Sequence, residues 1–384
     1  MAMSSVLRKS LAWSHLWLGL TGGLFFCLLG VTGTIVTFRP QIASFLSPPP
    51  VAPGDCGRAV DWNKAQLEIE TTSGSTINRI YFPTAPDPRY HFRMRTGVDA
   101  IYTHVIYDAC AWRVLGVANL QWLDWLVDLH HNLLAGRTGR EVAGGIGVAL
   151  LLSGIGGLAL VVLSRPSLRR LFRFDPGANA PKTMFDLHRA VGVGAAALLL
   201  LQSFTALWLC FPQTMRGLMG RFVAVQTEAR PPRAGRDERA HASPAGLGEL
   251  ISASERAVPD GRIREIRMPD GVGNVQVRMW REGDFRSLGN NVVSLDRVSA
   301  RVMGVDLYSA KPGSSRWIQA MAGLHYGEWG GIAFRTIYGV AGLATVPLFV
   351  TGVLYWWLRS RRSVADVRRA SIESLPRAFQ DSAS

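Results

Sequence analysis

The chain has 384 residues and a formal net charge of +14, with 42 Lys or Arg against 28 Asp or Glu. Hydrophobic residues make up 48% of it and charged residues only 18%, which is too apolar for an ordinary soluble enzyme. No nucleic-acid-binding motif accompanies the positive charge, so the composition also argues against nucleic-acid binding.

The apolar residues concentrate in four stretches. Each is long enough to cross a hydrocarbon core of about 30 Å, which requires roughly 20 helical residues. Only helices or closed barrels satisfy every backbone polar group there. We therefore predict transmembrane helices at residues 16–38, 142–163, 190–212 and 332–358.

The first stretch could instead be a signal peptide, because Arg8 and Lys9 precede it. Its apolar part is much longer than the hydrophobic region of a typical signal, and no cleavage site between small residues is evident. An uncleaved membrane anchor is therefore the prediction.

Basic residues indicate the orientation of the helices, since Lys and Arg are enriched on the cytoplasmic side. They flank the start of the first helix, recur in the loop at 164–187 and follow the fourth helix from residue 359. Both termini and that loop are accordingly predicted to be cytoplasmic, and the two long segments to be external. The charge of +14 is thus mainly a topology signal.

Each external segment combines one helix with several strands. In the first, 60–71 is predicted to be helical, and INRIYFP, YHFRMRT and IYTHVIYD alternate in polarity with the period of a strand. In the second, an Arg- and Pro-rich linker precedes a helix at 244–257 and strands at IREIRMP, NVQVRMW, NVVSLDR and ARVMGVD. The chain is therefore predicted to be a tandem duplication with two α+β modules.

The four cysteines fall into two groups. Cys27 and Cys210 lie within predicted membrane helices, where apolar packing is their simplest role. Cys56 and Cys110 share the first external segment, where an oxidising compartment would let them pair. The sequence leaves that pairing open.

A repeated pattern precedes the second and fourth helices, as LHHNLLAGRTGREVAG at 129–144 and LHYGEWGGIAFRTIYG at 324–339. Aligned on the histidine, the two copies match at further positions: His130 with His325, Gly136 with Gly331, Arg140 with Arg335, and Gly144 with Gly339. The first and third helices show a weaker repeat, in which a threonine follows a histidine after seventeen residues: His15 with Thr32, and His188 with Thr205.

By predicted topology, these histidines form one pair at each membrane face: His15 and His188 inside, His130 and His325 outside. Two opposing neutral imidazoles can hold a low-spin b-type haem between helices, and ionisable residues at such positions are functional candidates. The alternative is that each histidine is a polar residue at the headgroup level. Small residues are candidates for the space that a porphyrin needs: Gly19, Gly192, Gly136 and Gly331.

His131 competes with His130 for the outer position. Adjacent helical residues point about 100° apart, so both cannot face one metal, and only His130 aligns with a histidine in the other copy. Arg140 and Arg335 lie ten residues beyond their histidines, about 15 Å along a continuous helix. They could pair with haem propionates or extend to the membrane interface.

The paired LH-x5-G-x3-R-x3-G pattern, the histidine-led outgoing helices and the duplicated external modules carry a resemblance. The chain resembles the PepSY-associated transmembrane family over roughly residues 7–360, and within it the FoxB-type ferrisiderophore reductases of the bacterial inner membrane. The resemblance implies an α-helical membrane protein with four transmembrane helices, built by tandem duplication, and two periplasmic α+β PepSY-like modules.

The implied organisation has nine parts. They are a cytoplasmic N-terminus at 1–15, the first helix at 16–38, the first module at 39–128, the outer histidine motif and second helix at 129–163, a basic cytoplasmic loop at 164–187, the third helix at 188–212, the linker and second module at 213–323, the outer histidine motif and fourth helix at 324–358, and a cytoplasmic tail at 359–384.

The resemblance further implies two bis-histidine b-type haems, with His15 and His188 as inner ligands and His130 and His325 as outer ligands. It implies reduction of Fe(III)-siderophores in the periplasm, with hydroxamates expected as chelators because their hard oxygen donors hold Fe(II) less well. Residues flanking the outer histidines are candidates for docking the chelate: Trp122, Trp125, Asp128, Tyr326, Glu328 and Trp329. The other histidines, His91, His104 and His241, are interpreted as ordinary external residues.

No nicotinamide or flavin fingerprint is present, because the glycines at 144–147 lie in a predicted membrane helix rather than after a soluble strand. The electron donor is therefore expected to be separate, either a cytoplasmic reductase or a membrane quinol. Two alternatives to the reductase are a haem-containing electron-transfer subunit for another periplasmic acceptor, and a non-enzymatic PepSY membrane protein that binds a peptide or protease.

Overall fold

The computed structural model describes residues 2–50, 60–84, 87–97, 101–108, 110–173, 175, 177–223, 243–269 and 273–373. His241, Cys56 and most of the predicted linker lie outside these ranges. The chain divides into two compact units. The helical unit comprises Met1–Ile35, His130–Cys210 and Thr336–Ser384, and the sheet unit comprises Val36–Leu129 and Phe211–Arg335.

The elements follow one another in chain order. The helices are α1 (Ala2–Thr37), α2 (Arg39–Leu46), α3 (Trp62–Ser73), α4 (Gln121–Asn132), α5 (Gly136–Ser164), α6 (Leu168–Leu171), α7 (Ala180–Cys210), α8 (Pro212–Met219), α9 (Leu247–Ala257), α10 (Gly313–His325), α11 (Gly331–Leu343) and α12 (Thr345–Glu373). The strands are β1 (Thr76–Tyr81), β2 (Tyr90–Thr96), β3 (Ile101–Asp108), β4 (Arg113–Ala118), β5 (Arg262–Arg267), β6 (Asn274–Trp280), β7 (Asn291–Asp296) and β8 (Val302–Asp306).

All four predicted membrane stretches are helical. Within the described residues, four segments are long and apolar enough to cross a membrane: Ser5–Thr37, Gly136–Ser164, Ala180–Cys210 and Glu328–Arg361. The last is interrupted at Ala344, between α11 and α12. Pro347 explains the interruption, because its nitrogen has no hydrogen to donate to the carbonyl four residues earlier.

Small residues bring the helices of the helical unit close together. On α1, the Thr34 hydroxyl donates to the Gly339 carbonyl at 3.0 Å, and the Cys27 thiol donates to the Thr345 carbonyl at 3.4 Å. A side chain at Gly30 would collide with the carbonyl of Gly342. Glycines at a helix crossing allow such backbone contact in a membrane. Helix α7 in turn packs against both α5 and α12.

The two predicted modules form one continuous antiparallel sheet in the order β4-β3-β2-β1-β5-β6-β7-β8. Each repeat supplies a four-stranded meander, and the meanders join where β1 pairs with β5, with Ile80 opposite Ile266. Both central strands carry a register shift, at Ile77/Arg79 in β1 and at Ile263/Glu265 in β5. The duplication is therefore preserved as an internal symmetry of a single domain.

The core of the sheet unit lies between one face of the sheet and helices α3 and α9. It contains apolar residues of both repeats, including Ile69 and Phe92 from the first and Leu250 and Val277 from the second. All four are fully buried, and each contributes about 2 kcal/mol of burial free energy. Because the two halves share this core, neither module has a complete core of its own.

Candidate functional site

The inner histidine pair is brought together within the helical unit. His15 on α1 and His188 on α7 have ring centres 5.9 Å apart and ring planes at 79°. An imidazole nitrogen binds a metal at about 2 Å, so two imidazoles on opposite sides of one metal have ring centres roughly 6.3 Å apart. The observed spacing is of the size expected if His15 and His188 would together hold one metal centre.

Each ring of this pair is held by the backbone of a neighbouring helix. The Nδ1 atom of His15 lies 2.9 Å from the carbonyl of Ser153, and that of His188 lies 3.0 Å from the carbonyl of Leu348. A carbonyl only accepts, so both Nδ1 atoms donate and the lone pair of each ring is on Nε2. Neither Nε2 has a hydrogen-bond partner among the described residues, so both are available to a metal. Metal-binding histidines are commonly oriented through the second nitrogen in this way.

Two glycines make room for these rings. A Cβ atom at Gly157 would lie 2.9 Å from Cε1 of His15, and one at Gly352 would lie 3.4 Å from Cε1 of His188. Ser153 and Leu348, which hold the rings, occupy the corresponding positions of the same two helices. The repeat thus extends from sequence to side-chain contacts, although sequence reasoning had assigned the space to other glycines.

His130, the first outer histidine, also belongs to the helical unit. Its Nδ1 lies 3.1 Å from Oγ1 of Thr32, whose hydroxyl donates to the Leu28 carbonyl at 2.7 Å. The Thr32 oxygen therefore accepts from Nδ1, which makes Nε2 the basic nitrogen. A Cβ atom at Gly33 would lie 2.7 Å from Cε1 of His130. Thr32 is seventeen residues beyond His15, which is about 25 Å along a straight helix.

The expectation of one continuous helix from each outer histidine to its arginine is wrong. His130 lies near the end of α4 and His325 ends α10, and in each copy the next α-helix, α5 or α11, begins at a glycine. Gly136 has φ +57° and Gly331 has φ +61°, a conformation that side chains with a Cβ rarely adopt. These two glycines therefore allow the chain to break between the two helices, and their part in making space for a porphyrin stays a prediction. The about 15 Å separation along a helix does not apply.

The remaining outer candidates differ in burial. His131 is half-buried, with its ring 5.7 Å from that of His130. Arg335 is only 9% exposed and donates to Gln41 at 3.4 Å, and its buried Nε has no hydrogen-bond partner among the described residues. Arg140, its repeat counterpart, is exposed. His325 belongs to the sheet unit, whereas His130 belongs to the helical unit. The pairing of the two outer histidines stays a prediction.

Comparison with known proteins places this arrangement in a family. The model of the PepSY-associated TM region matches residues 12–359. The chain belongs to the PepSY-associated transmembrane family. An uncharacterized protein of Pseudomonas aeruginosa, PA4219, is 27% identical over 278 residues, which is 67% of this chain and 68% of that protein. The family and the four candidate spans identify a membrane protein with an antiparallel sheet domain.

Two sheet-unit histidines of this PepSY-family chain make hydrogen-bond contacts with aspartates. His104, 2% exposed, places Nε2 2.7 Å from Asp124, which also binds Arg39 at 2.7 Å. Burial alone would raise the pKa of Asp124, but the hydrogen bond with His104 and the charge of Arg39 lower it. His91 makes a similar contact with Asp87 at 2.9 Å. The interpretation of these histidines as ordinary external residues missed the pairs, because neither belongs to the repeat.

A buried glutamate on the face of the sheet opposite the α3 and α9 core is a second group that sequence reasoning missed. Glu265 is fully buried, and its carboxylate lies 3.2 Å from Arg79, 3.1 Å from Arg267 and 3.2 Å from Arg278. Burial alone would raise the pKa of Glu265, but Arg267 and Arg79 lower it. The signal was present in the sequence, since arginines alternate with apolar residues along these strands.

The residues proposed for docking the chelate also differ in exposure. The three tryptophans, Trp122, Trp125 and Trp329, are 43%, 53% and 59% exposed. Asp128 is exposed as well. The Glu328 side chain, in contrast, is only 8% exposed and pairs with Arg286 at 3.2 Å. Burial raises the pKa of Tyr326.

The structure describes only one of the two external cysteines. Cys110 is disulfide-bonded, whereas Cys56 lies outside the described residues. Cys27 and Cys210 are free thiols, in agreement with a packing role inside the membrane helices.

Proposed function

We propose that this chain is a ferric-siderophore reductase of the bacterial inner membrane with two bis-histidine b-type haems. His15 and His188 would hold the inner haem, and His130 and His325 the outer haem. A bound haem supplies one-electron transfer. The single observation that carries the proposal is the 5.9 Å spacing of the inner imidazoles.

The chain's own contribution at the inner position is orientation. Ser153 and Leu348 fix the two rings through Nδ1, and both Nε2 atoms remain available. Hydroxyl groups of Ser153 and Thr351 lie 3.3 Å from the same Nδ1 atoms and add a second contact. An interfacial polar histidine would need no such paired support, so the arrangement favours ligation.

The outer position is supported by His130 and by the repeat. Thr32 orients His130 through Nδ1 in the same manner, and Thr205 in the second repeat makes the corresponding backbone hydrogen bond, to Leu201 at 2.7 Å. The repeat gives His325 the role of His130. Arg335 is the better propionate partner of the two arginines, because it is buried with no ion-paired carboxylate among the described residues, whereas Arg140 is exposed.

The substrate side of the proposal follows from iron chemistry. Ferric siderophores hold Fe(III) with hard oxygen donors, and Fe(II) fits those donors less well. One electron from a cytoplasmic reductase or a membrane quinol therefore suffices to release Fe(II). The basic loop at 164–187 supports cytoplasmic termini and a periplasmic sheet domain.

The first prediction concerns the whole protein. Protein purified from haem-replete cells is expected to show a Soret band and two haems per chain. After reduction by dithionite and removal of the excess, a ferric hydroxamate should reoxidise it with formation of Fe(II). The visible spectrum and a ferrous-specific chelator follow both changes.

Two results would contradict the proposal. A colourless preparation would remove the basis for any haem role. A reduced haem protein that ferric chelates leave unchanged would favour another periplasmic acceptor. The gallium(III) hydroxamate is the control, because its metal has the same charge and is not reduced.

The second prediction uses the glycine beneath His15. Gly157→Ala places a Cβ 2.9 Å from Cε1 of His15, so the ring must move and the inner haem should be lost or its Soret band shifted. Gly145→Ala is the matched control on the same helix, because a Cβ there meets nothing within 4 Å. Helix propensity favours both changes by about 1 kcal/mol. Equal haem content together with an unshifted Soret band in both variants would show that the His15 ring does not bind metal in this position.

A further inference from the structure

One face of the sheet carries a row of like charges. Where β2, β1 and β5 lie side by side, Arg93 is opposite Arg79, and Arg79 is opposite Arg267. Directly opposed side chains start about 5 Å apart, and like charges in such positions destabilise a sheet. This row of three arginines therefore requires negative charge nearby.

The carboxylates in the described part of the chain do not neutralise all the positive charge around this row. We use the term arginine face for a set of neighbouring ion pairs that consists of Arg39, Arg79, Arg93, Arg267, Arg278 and Arg286 with Asp124, Glu265 and Glu328. Six guanidinium groups there share three carboxylates, which leaves an excess of three positive charges.

The arginine face also does not satisfy its own polar groups. The Glu265 carboxylate is shared among three guanidinium groups, and the buried Nε atoms of Arg39, Arg79 and Arg93 have no hydrogen-bond partner among the described residues. Burial and the positive charges of Arg286 and Arg267 lower the pKa of Arg278 to about 10. A network that served only stability would pair its buried charges more completely. An added anion would relieve the repulsion.

The guanidinium groups are recessed but accessible. The Arg267 side chain is 36% exposed, that of Arg79 25% and that of Arg278 24%. A flat bilayer contacts groups that project from a surface, whereas a small anion with several carboxylates can reach recessed ones. Charge-assisted contacts between guanidinium and carboxylate are strong and geometrically specific. The geometry therefore favours a small multivalent anion over a lipid surface.

The arginine face reaches the segment that follows His325. Glu328, three residues beyond that histidine, pairs with Arg286. We propose that the arginine face binds the iron substrate, and that this substrate is an anionic ferric chelate bearing carboxylate groups. The inference rests on the proposed reductase function. It departs from the hydroxamate expectation, because three hydroxamates cancel the charge of Fe(III) and leave nothing for the excess arginines.

Binding can be separated from reduction by replacing iron with gallium. Ga(III) citrate and a neutral Ga(III) tris-hydroxamate are titrated calorimetrically into the oxidised full-length protein in a neutral detergent. The citrate complex is expected to bind at least about tenfold more tightly than the hydroxamate, since hydrogen bonds to charged groups contribute about 1.5 kcal/mol or more. Raising NaCl from about 50 mM to about 500 mM should weaken the citrate binding by screening.

Two variants should change the affinity in opposite directions. Arg267→Gln leaves Glu265 with two arginines, and it should weaken citrate binding about tenfold. Glu265→Gln keeps the shape but removes a negative charge, and it should tighten binding. Arg301→Gln is the control, because it makes the same change of charge at an exposed loop position. Thermal unfolding confirms that each variant is folded.

Several outcomes would overturn the inference. The first is that Ga(III) citrate does not bind. The second is that the Ga(III) hydroxamate binds equally tightly. The third is that the affinity for Ga(III) citrate stays the same in both variants and at both salt concentrations. Loss of haem in Arg267→Gln with unchanged chelate binding would assign the face to propionates, and binding of phosphatidylglycerol vesicles alone would assign it to lipid. In each case reoxidation by a ferric hydroxamate would leave the reductase proposal intact. A protein without haem would remove that proposal whatever the arginine face binds.

Discussion

Under the proposed function, in which each chain holds two haems, His188→Ala is expected to leave one. The rings of His15 and His188 have centres 5.9 Å apart, so removing one would take away one of the two side chains proposed to hold the inner haem. Loss of a mere second-shell partner already costs about 10- to 100-fold in metal affinity, and loss of a ligand should exceed that. Haem extracted per mole of protein measures the result.

A neighbouring substitution provides the matched control. Leu187 is 37% exposed and adjacent to His188 on the same helix, so Leu187→Ala tests general damage to α7 without touching the ring. It should retain both haems. If His188→Ala also retained both, the inner pair would not be a haem site.

The double variant sharpens the same test. His15→Ala and His188→Ala should each remove the inner haem, and combining them should remove nothing more, because groups that act as one site are strongly non-additive. A double variant without any haem would mean that the two histidines serve different sites.

The sequence predicted the membrane helices well, because a long apolar stretch has one stable outcome in a bilayer. The repeat in the sequence singled out His15 and His188, whose rings lie near each other in the structure, whereas the outer pair of His130 and His325 stays a prediction. The sequence did not predict the glycines that contact these rings. Whether Gly157 or Gly19 faces His15 depends on the rotation of packed helices, which no local pattern specifies. A Cβ at Gly19 meets nothing within 4 Å.

The helix break after His130 was missed for a local reason. Leu133 and Leu134 look like helix formers, yet they have φ +49° and +60°. Apolar residues rarely adopt that conformation, so tertiary context overrides propensity there.

The single sheet was missed for a non-local reason. Ile80 pairs with Ile266 although two membrane helices lie between them in the sequence. No local periodicity reveals which strands of the two meanders pair with each other. The arginine face was more accessible to prediction. Arg93 alternates with the buried Phe92 and Met94 along β2, so the period of the strand already places it on the opposite face.

His130→Ala is expected to remove the outer haem and to abolish reduction of the ferric chelate, while His131→Ala preserves both. Adjacent residues of a helix point about 100° apart, and Thr32 and Gly33 contact the ring of His130. Reoxidation of dithionite-reduced protein should slow at least about 100-fold in His130→Ala, the upper limit for losing a second-shell partner alone. The inner haem should stay reducible.

His131→Ala is the most closely matched control that the chain offers, since it removes the same side chain from the next position of α4. The reverse result, with haem lost in His131→Ala and kept in His130→Ala, would mean that the repeat register is wrong. Thr32→Val adds an independent check. It removes the oxygen that orients Nδ1 of His130 without removing the ligand. It should therefore shift the potential or spectrum of the outer haem while the haem itself stays bound, which loss of general packing would not do.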